Sequence, residues 1–337
     1  MEKQTKAWIV AGTLVAGTAA AAAAASAAHV MTSYLMDMAL DRHKPKGIMN
    51  AEKTRSRIRG TDYQHQFLED AEKASQTVRQ SPGQRVEIRS RDGIRLVGHL
   101  RTCPHPRRIL LAMHGWRSSW DQDFGLIADF WRDQGCTVLY PDQRGQNESE
   151  GEYMGFGMLE RFDCADWAKW IHDHVSATLP IYLVGVSMGA STVLMASALP
   201  LPSNVVGIAA DCGYTSPQEI FRHITNNNLH LSYGFHSRDI EGQCRRKIRL
   251  GPGDISTVNA LRYNIRPVML IHGTEDSFVP VEMTYENYKA IRGPKQLLIV
   301  PGADHGMSYY VETEKYQKSI RAFFRLCETQ PQGPHKD

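Results

Sequence analysis

Ile181-Tyr182-Leu183-Val184-Gly185-Val186-Ser187-Met188-Gly189-Ala190 is the stretch on which the reading of this chain turns. An apolar run rich in β-formers stops abruptly in Gly-x-Ser-x-Gly. The chain then continues as Ser191-Thr192-Val193-Leu194-Met195-Ala196-Ser197-Ala198, which reads as a buried helix with small residues at its start. Strand, sharp turn and helix, in that order, are the setting in which the motif forms a nucleophile elbow, with the serine held in a strained backbone conformation and its hydroxyl pushed into the open. Side chains at Gly185 and Gly189 would strike the adjoining strand and helix. The chain holds 27 glycines, so the bare motif carries little weight, and its flanks carry the argument.

Outward from the elbow, short apolar strands alternate with helices, the mark of a mostly parallel sheet with helices on both faces. The strands expected are Ile109–Met113, Cys136–Tyr140, Ile181–Val184, Val205–Ala209, Val268–Ile271 and Gln296–Val300. Helices are expected over Phe124–Gln134, Arg161–His174 and Glu314–Phe324. An antiparallel hairpin, Arg85–Arg89 and Ile94–Leu100 about Asp92-Gly93, precedes them. The one long gap between strands, Gly213 to Arg266, reads as a small helical cap over about 217–262. Its Phe221, Leu229, Leu231, Tyr233 and Phe235 either line an acyl pocket or pack cap on core.

Ligands of open α/β sheets gather at the carboxyl ends of the strands, and acyl-transfer parts end several strands here. Ser187 is the candidate nucleophile and needs a base within hydrogen-bond reach. His305, in Pro301-Gly302-Ala303-Asp304-His305-Gly306 directly after the last strand, is the candidate base among 14 histidines. A buried carboxylate must orient that imidazole. Asp276, after the next-to-last strand, gives the order Ser, Asp, His expected of an elbow enzyme. Asp211 and Glu275 are its rivals. The oxyanion of a tetrahedral intermediate needs two amide donors, for which Met188 and Trp116 are the candidates. The side chains of Trp116 and Met188 are also expected to border the substrate. His114 and His272 read as structural groups.

Residues 7–28 hold no charged side chain and are mostly alanine. The length suits a membrane span, and Ala25-Ser26-Ala27 would suit a signal-peptidase cut; a soluble alanine-rich helix is the third option. The expected layout is an anchor or signal over 1–36, a stalk and docking helix over 37–84, and the catalytic unit over 85–330. A single-pass membrane attachment with an extracellular catalytic domain is the expectation for location. The formal net charge of +3 gives no reason to expect nucleic acid. Arg107-Arg108 and Cys244–Arg249 read as solvated basic clusters. Six scattered cysteines lack zinc spacing, so neither a metal nor another cofactor is expected. Cys136 and Cys212 read as buried thiols, while Cys103, Cys244 and Cys327 are candidates for pairing.

Taken together, His114-Gly115-Trp116, the loop Asp142–Gly151, Gly185–Gly189, His272-Gly273-Thr274-Glu275-Asp276 and Asp304-His305-Gly306 resemble the α/β-hydrolase superfamily over roughly residues 85–325. Ala210-Asp211-Cys212-Gly213-Tyr214-Thr215-Ser216 and the amino-terminal run look like membrane-anchored hydrolases of Gram-positive bacteria, often labelled serine-aminopeptidase-like. The resemblance implies an α/β-hydrolase fold and a serine hydrolase acting on a small-molecule acyl substrate. A carboxylic ester is the expected bond, with a thioester or aminoacyl amide within reach and a non-catalytic binding module as the rival. One departure stands out. Gln146 and Asn147 replace the His and Gly of the family's Asp-x-Arg-Gly-His-Gly loop, and Asn tolerates the left-handed backbone that the turn needs.

Overall fold

The computed structural model describes residues 25–43 and 62–329. Strands β1 (Gln84–Arg89) and β2 (Arg95–Arg101) form the expected hairpin, with Val86 opposite Gly98. They are followed by β3 (Arg108–Met113), β4 (Cys136–Pro141), β5 (Ile181–Val186), β6 (Val205–Asp211), β7 (Val268–Gly273) and β8 (Lys295–Val300). The sheet runs β1-β2-β4-β3-β5-β6-β7-β8, and from β4 onward every pairing is parallel. Every strand stands within a few residues of its sequence expectation, because each is a short apolar run cut off by Gly, Pro or a charge.

Eleven helices among the described residues complete the chain. The first, α1, covers 25–40. It is followed by α2 (Asp62–Gln80), α3 (Trp120–Asp133), α4 (Glu160–His174), α5 (Met188–Ala196), α6 (Pro217–His223), α7 (Tyr233–Ile248), α8 (Thr257–Tyr263), α9 (Val281–Ala290), α10 (Ser308–Val311) and α11 (Thr313–Glu328). A single π turn, Ile224–Asn228, extends α6. Helix α3 begins four residues before its expected start, because Trp120 buries inward and Asp121 and Asp123 suit the positive amino end.

Successive strand residues feed opposite faces, so two apolar layers form. On one face Leu110, Tyr182 and Val184 meet Phe124 and Ile127 of α3 and Ile320 and Phe323 of α11. On the other, Leu111, Leu183 and Ile208 meet Trp167 of α4 and Val193 and Leu194 of α5. Helix α2 lies against α3, and the two backbones approach so closely that a Cβ on Gly125 would fall 2.9 Å from the Ala74 carbonyl carbon. Arg79 and Ser75 of α2 both reach the buried Asp121 carboxylate.

The insertion after β6 divides in two. Helices α6 and α7 build a third apolar cluster with Phe221, Tyr233 and Ile240. Helix α8, inside the expected 217–262 cap, instead places Leu261 in the layer beneath the sheet. Phe221 and Tyr233 are buried there, while Leu229 and Phe235 are exposed. Of the two options left open for these residues, cap-on-core packing is realised for Phe221 and Tyr233, while Leu229 and Phe235 follow neither.

Residues 37–43, expected to begin a stalk, are tied to the body instead. Met36 and Leu40 are buried in the third cluster, Lys247 of α7 pairs with Asp37 and Asp41, and Asp41 bridges Tyr153. Lys247 thus clamps the amino-terminal segment rather than standing in solvent as part of a basic face. Most of the apolar run over 7–28 and the remainder of the stalk lie outside the described residues. Among the described residues no helix is long and apolar enough to cross a membrane. All six cysteines are free thiols, so the pairing considered for Cys103, Cys244 and Cys327 does not form: Cys244 is buried in the insertion, Cys327 in the opposite layer formed with α3 and α11.

Candidate active site

The elbow forms as its spacing requires. Ser187 takes φ 55° and ψ −116°, a combination that an L-residue adopts only under constraint. Its amide donates to the Asp211 carbonyl at 2.9 Å, and its carbonyl accepts from Ser191 at 3.0 Å, so strand and helix grip it from both sides. A side chain on Gly189 would run into the Met113 carbonyl, and one on Gly185 into the backbone of Gly189.

Ser187, His305 and Asp276 come together from three separate strand ends. His305 Nε2 lies 2.9 Å from Ser187 Oγ, and His305 Nδ1 lies 2.8 Å from Asp276 Oδ2. With Nδ1–H donated to the carboxylate, Nε2 is the lone-pair nitrogen facing the serine hydroxyl. The Asp276 side chain is fully buried. Burial alone would raise its pKa, but donors from His272, His305 and the Val279 amide outweigh burial and hold it well below the usual carboxylate range. The carboxylate is therefore ionised at neutral pH. Burial pulls the His305 pKa down, while Cys212 and Asp276 pull it up, and the upward effects prevail. The Cys212 thiol is itself pushed up to about 11 by burial, which leaves Asp276 as the charged neighbour at neutral pH.

The two rival acids stand elsewhere. Glu275 is exposed. Asp211 accepts a hydrogen bond from Ser308 Oγ at 3.1 Å, and burial raises its pKa to about 6.

Met188 opens α5, so its N–H belongs to the first helical turn, which has no partner inside the helix. In the loop after β3 the amides on either side of Trp116 are taken. Gly115 N–H donates to Asp123 Oδ2 and Arg117 N–H to Gln146 Oε1, each at 2.6 Å. The loop is thereby fixed with the Trp116 amide between two anchored neighbours. The expected bordering side chains behave differently from each other. Trp116 lies on the wall of a cavity of about 1000 Å³ that also meets Ser187 and His305. The Met188 side chain is fully buried in the third apolar cluster and is not on that wall, because its helix turns it toward the insertion.

Three positioning residues escaped the sequence reading, and a fourth was expected only as a structural group. Asp123 and Gln146 hold the Trp116 loop. Asn147, at φ 48°, donates from Nδ2 to the Ser118 carbonyl at 2.9 Å, so the departure from the family loop supplies new bonds as well as the turn. His272 is the fourth. It accepts from Thr284 through Nδ1 at 2.6 Å and faces Asp276 Oδ2 with Nε2 at 3.1 Å, steadying the acid from behind. His114 is the structural turn group expected, accepting the Gln143 amide at Nε2.

Two groups of potential metal-ligating atoms occur among the described residues. One is Cys212, Asp276 and His305, whose carboxylate and imidazole are engaged with each other. The other is His99, Asp142 and Glu148, where Arg85 already bonds the Glu148 carboxylate at 2.7 Å.

Residues 109–315 match the alpha/beta hydrolase family model. The chain belongs to the alpha/beta hydrolase family. Among similar sequences, this chain is 26% identical over 195 residues to an uncharacterized protein of Bacillus subtilis, YqkD. It is 27% identical over 204 residues to another from Salmonella typhimurium, YfhR. In both cases the match spans 63% of the relative's length and somewhat under three-fifths of this chain, 57% and 58%. Solved structures share the hydrolase fold. The esterase Pf2001 of Pyrococcus furiosus superposes with a TM-score of 0.60 at 21% identity, covering 73% of this chain and 91% of its own. Est1E of Butyrivibrio proteoclasticus, solved with ferulic acid bound, gives 0.59 at 18% identity, covering 73% of this chain and all of its own, 100%.

Proposed function

We propose that this alpha/beta hydrolase is a serine hydrolase that cleaves a carboxylic ester through an acyl-enzyme on Ser187. One observation carries the reading: an unbroken relay from Ser187 Oγ to His305 Nε2 at 2.9 Å and from His305 Nδ1 to the buried Asp276 at 2.8 Å. His305 takes the hydroxyl proton as Oγ attacks the carbonyl carbon, and Asp276 stabilises the imidazolium. The Met188 and Trp116 amides receive the oxyanion. Collapse expels the alcohol, protonated by His305, and water repeats the cycle on the acyl-enzyme. Likeness in fold to the esterase Pf2001 of Pyrococcus furiosus and to an esterase domain of Rhodothermus marinus supports an ester over an amide. A binding module without chemistry would have no use for a strained serine, an oriented base and a buried acid in register.

Incubation with a fluorophosphonate probe followed by peptide mass spectrometry tests the reading. An adduct on Ser187, lost in Ser187→Ala and His305→Ala, is expected together with turnover of a chromogenic short-chain ester. An unlabelled Ser187 in folded protein overturns it. The charge-free run over 7–28 supports attachment of the enzyme to a membrane by its amino end. Protease accessibility on intact cells checks on which side the domain lies.

A further inference from the structure

The cavity that reaches Ser187 does not lie under the α6–α7 insertion, where a substrate pocket would be sought first. It lies on the opposite side, between the face of the sheet, α3, α11 and the early helix α2. Its wall follows β5 from Val186 back to Tyr182, four residues, or about 13 Å of strand. It also follows α11 from Tyr316 to Phe324, eight residues, or about 12 Å of helix. Two independent elements thus give one long axis running from the serine into the protein. The cavity's volume of about 1000 Å³ is at the upper end of the range for small-molecule sites.

The chemistry of the wall changes along that axis. Ser187, His305 and Asp211 stand at the inner rim. The deep part is Ile127, Trp131, Ile320 and Phe323, and the Tyr182 hydroxyl there is turned to the Phe324 carbonyl at 3.3 Å. A peptide or sugar placed there would leave polar groups without partners, at a cost of several kcal/mol each, whereas a hydrocarbon chain would not. The outer edge is made by α2. Phe67 meets Tyr310 of α10 edge-on at 5.2 Å, the Tyr310 hydroxyl donates to Asp70 at 2.8 Å, and the exposed Leu68 stands at the opening. Helix α2 precedes residues 109–315, the stretch that matches the family model.

We infer that the cavity between α2, α3 and α11 is an acyl tunnel, which takes a medium or long hydrocarbon chain whose carbonyl is attached to Ser187, and that α2 sets its length preference. The inference rests on the hydrolase reading above and narrows it to fatty-acyl esters. The alcohol portion leaves on the side facing Trp116 and the insertion.

The test compares kcat/KM for p-nitrophenyl acetate and p-nitrophenyl octanoate in the full-length protein, in Ile127→Trp, which fills the tunnel at α3, and in Ala71→Trp, which narrows it at α2. Wild type is expected to favour octanoate by about tenfold or more, six buried methylenes at ~0.8 kcal/mol each leaving ample room for that ratio. Both variants are expected to lower the octanoate-to-acetate ratio by about tenfold. Ala71 is only half-buried on an outer helix, so its variant decides the matter if Ile127→Trp does not fold. A fluorophosphonate-labelled Ser187 with no octanoate preference, or with a ratio unmoved by the α2 variant, overturns the tunnel and leaves the hydrolase reading standing. Absence of both labelling and turnover in wild type overturns the two together.

Discussion

Two neighbouring strand ends of this protein carry buried aspartates with opposite electrostatics. At the end of β6, Asp211 is met by two side-chain hydroxyls, Ser308 Oγ at 3.1 Å and that of Tyr316, and burial still lifts its pKa to about 6. After β7, the Asp276 side chain is also fully buried, yet two imidazoles and the backbone amides of Phe278 and Val279 converge on it and keep it ionised. Both acids lie close to His305. The difference teaches that depth alone does not select the triad acid. What selects it is the number of donors aimed at the carboxylate, because each donor offsets part of the desolvation cost of the charge.

The largest test of that contrast is catalytic. Asp276→Asn is expected to lower kcat by about 10⁴-fold, since the imidazole then loses its correct tautomer. Asp211→Asn is expected to change kcat by no more than about tenfold, an effect of some 1.4 kcal/mol. Equal losses in steady-state ester assays would erase the distinction. A second test is the pH profile. His305 must be neutral to accept the serine proton, and its pKa is held above 6.5. Activity should therefore be low in acid and rise through a limb above pH 6.5. Asp276→Asn, which removes the anion favouring imidazolium, should move the limb of its residual activity to lower pH. A limb that stays in place would mean that another group sets the His305 charge.

Stability gives a third contrast, of opposite sign at the two sites. Asp276 has a depressed folded pKa, so its contribution is present above pH 4 and is lost as pH falls further. Asp211, raised from 3.8 to about 6, keeps a proton in the fold that the unfolded chain has already lost. Stability should therefore fall as pH rises from about 4 to 6, by up to roughly 3 kcal/mol. Denaturant unfolding of Asp211→Asn across that range should show a flatter profile than wild type. The smallest effect is assigned to His272→Ala. Loss of one donor behind Asp276 should cost about 1–3 kcal/mol of stability and lower kcat far less than Asp276→Asn, measured by unfolding and ester turnover side by side.

Much of this was legible before any coordinates. Strand ends, the elbow and the order Ser187, Asp276, His305 follow from apolar runs broken by Gly, Pro or charge, which are local features. Three things were hidden because they depend on distant pairs of residues. Helix α2 reads as weakly amphipathic on its own, and only the bare backbone of Gly125 lets it seat against α3 and close a cavity. Met188 and Trp116 both adjoin the site in sequence, but the direction each side chain takes is set by the layer it packs into. Gln146 reads as a defect in a family loop, yet its carbonyl oxygen accepts an amide from a residue 29 positions away.

The loop carrying Trp116 is also held by the amino-terminal segment. Trp116 Nε1 donates to the Ala39 carbonyl at 2.8 Å, and the Arg117 guanidinium donates to the carbonyls of Met38 and Asp41 at 2.7 and 2.6 Å. Main-chain acceptors are indifferent to which side chain is attached to them. An alanine scan of 38–42 would register the buried Leu40 and the Asp41–Lys247 pair, yet would leave these main-chain acceptors in place. Trimming the polypeptide back to a tidy catalytic core would remove every one of these acceptors at once, and would leave the half-buried Arg117 cation with the face of the Trp116 ring in their place.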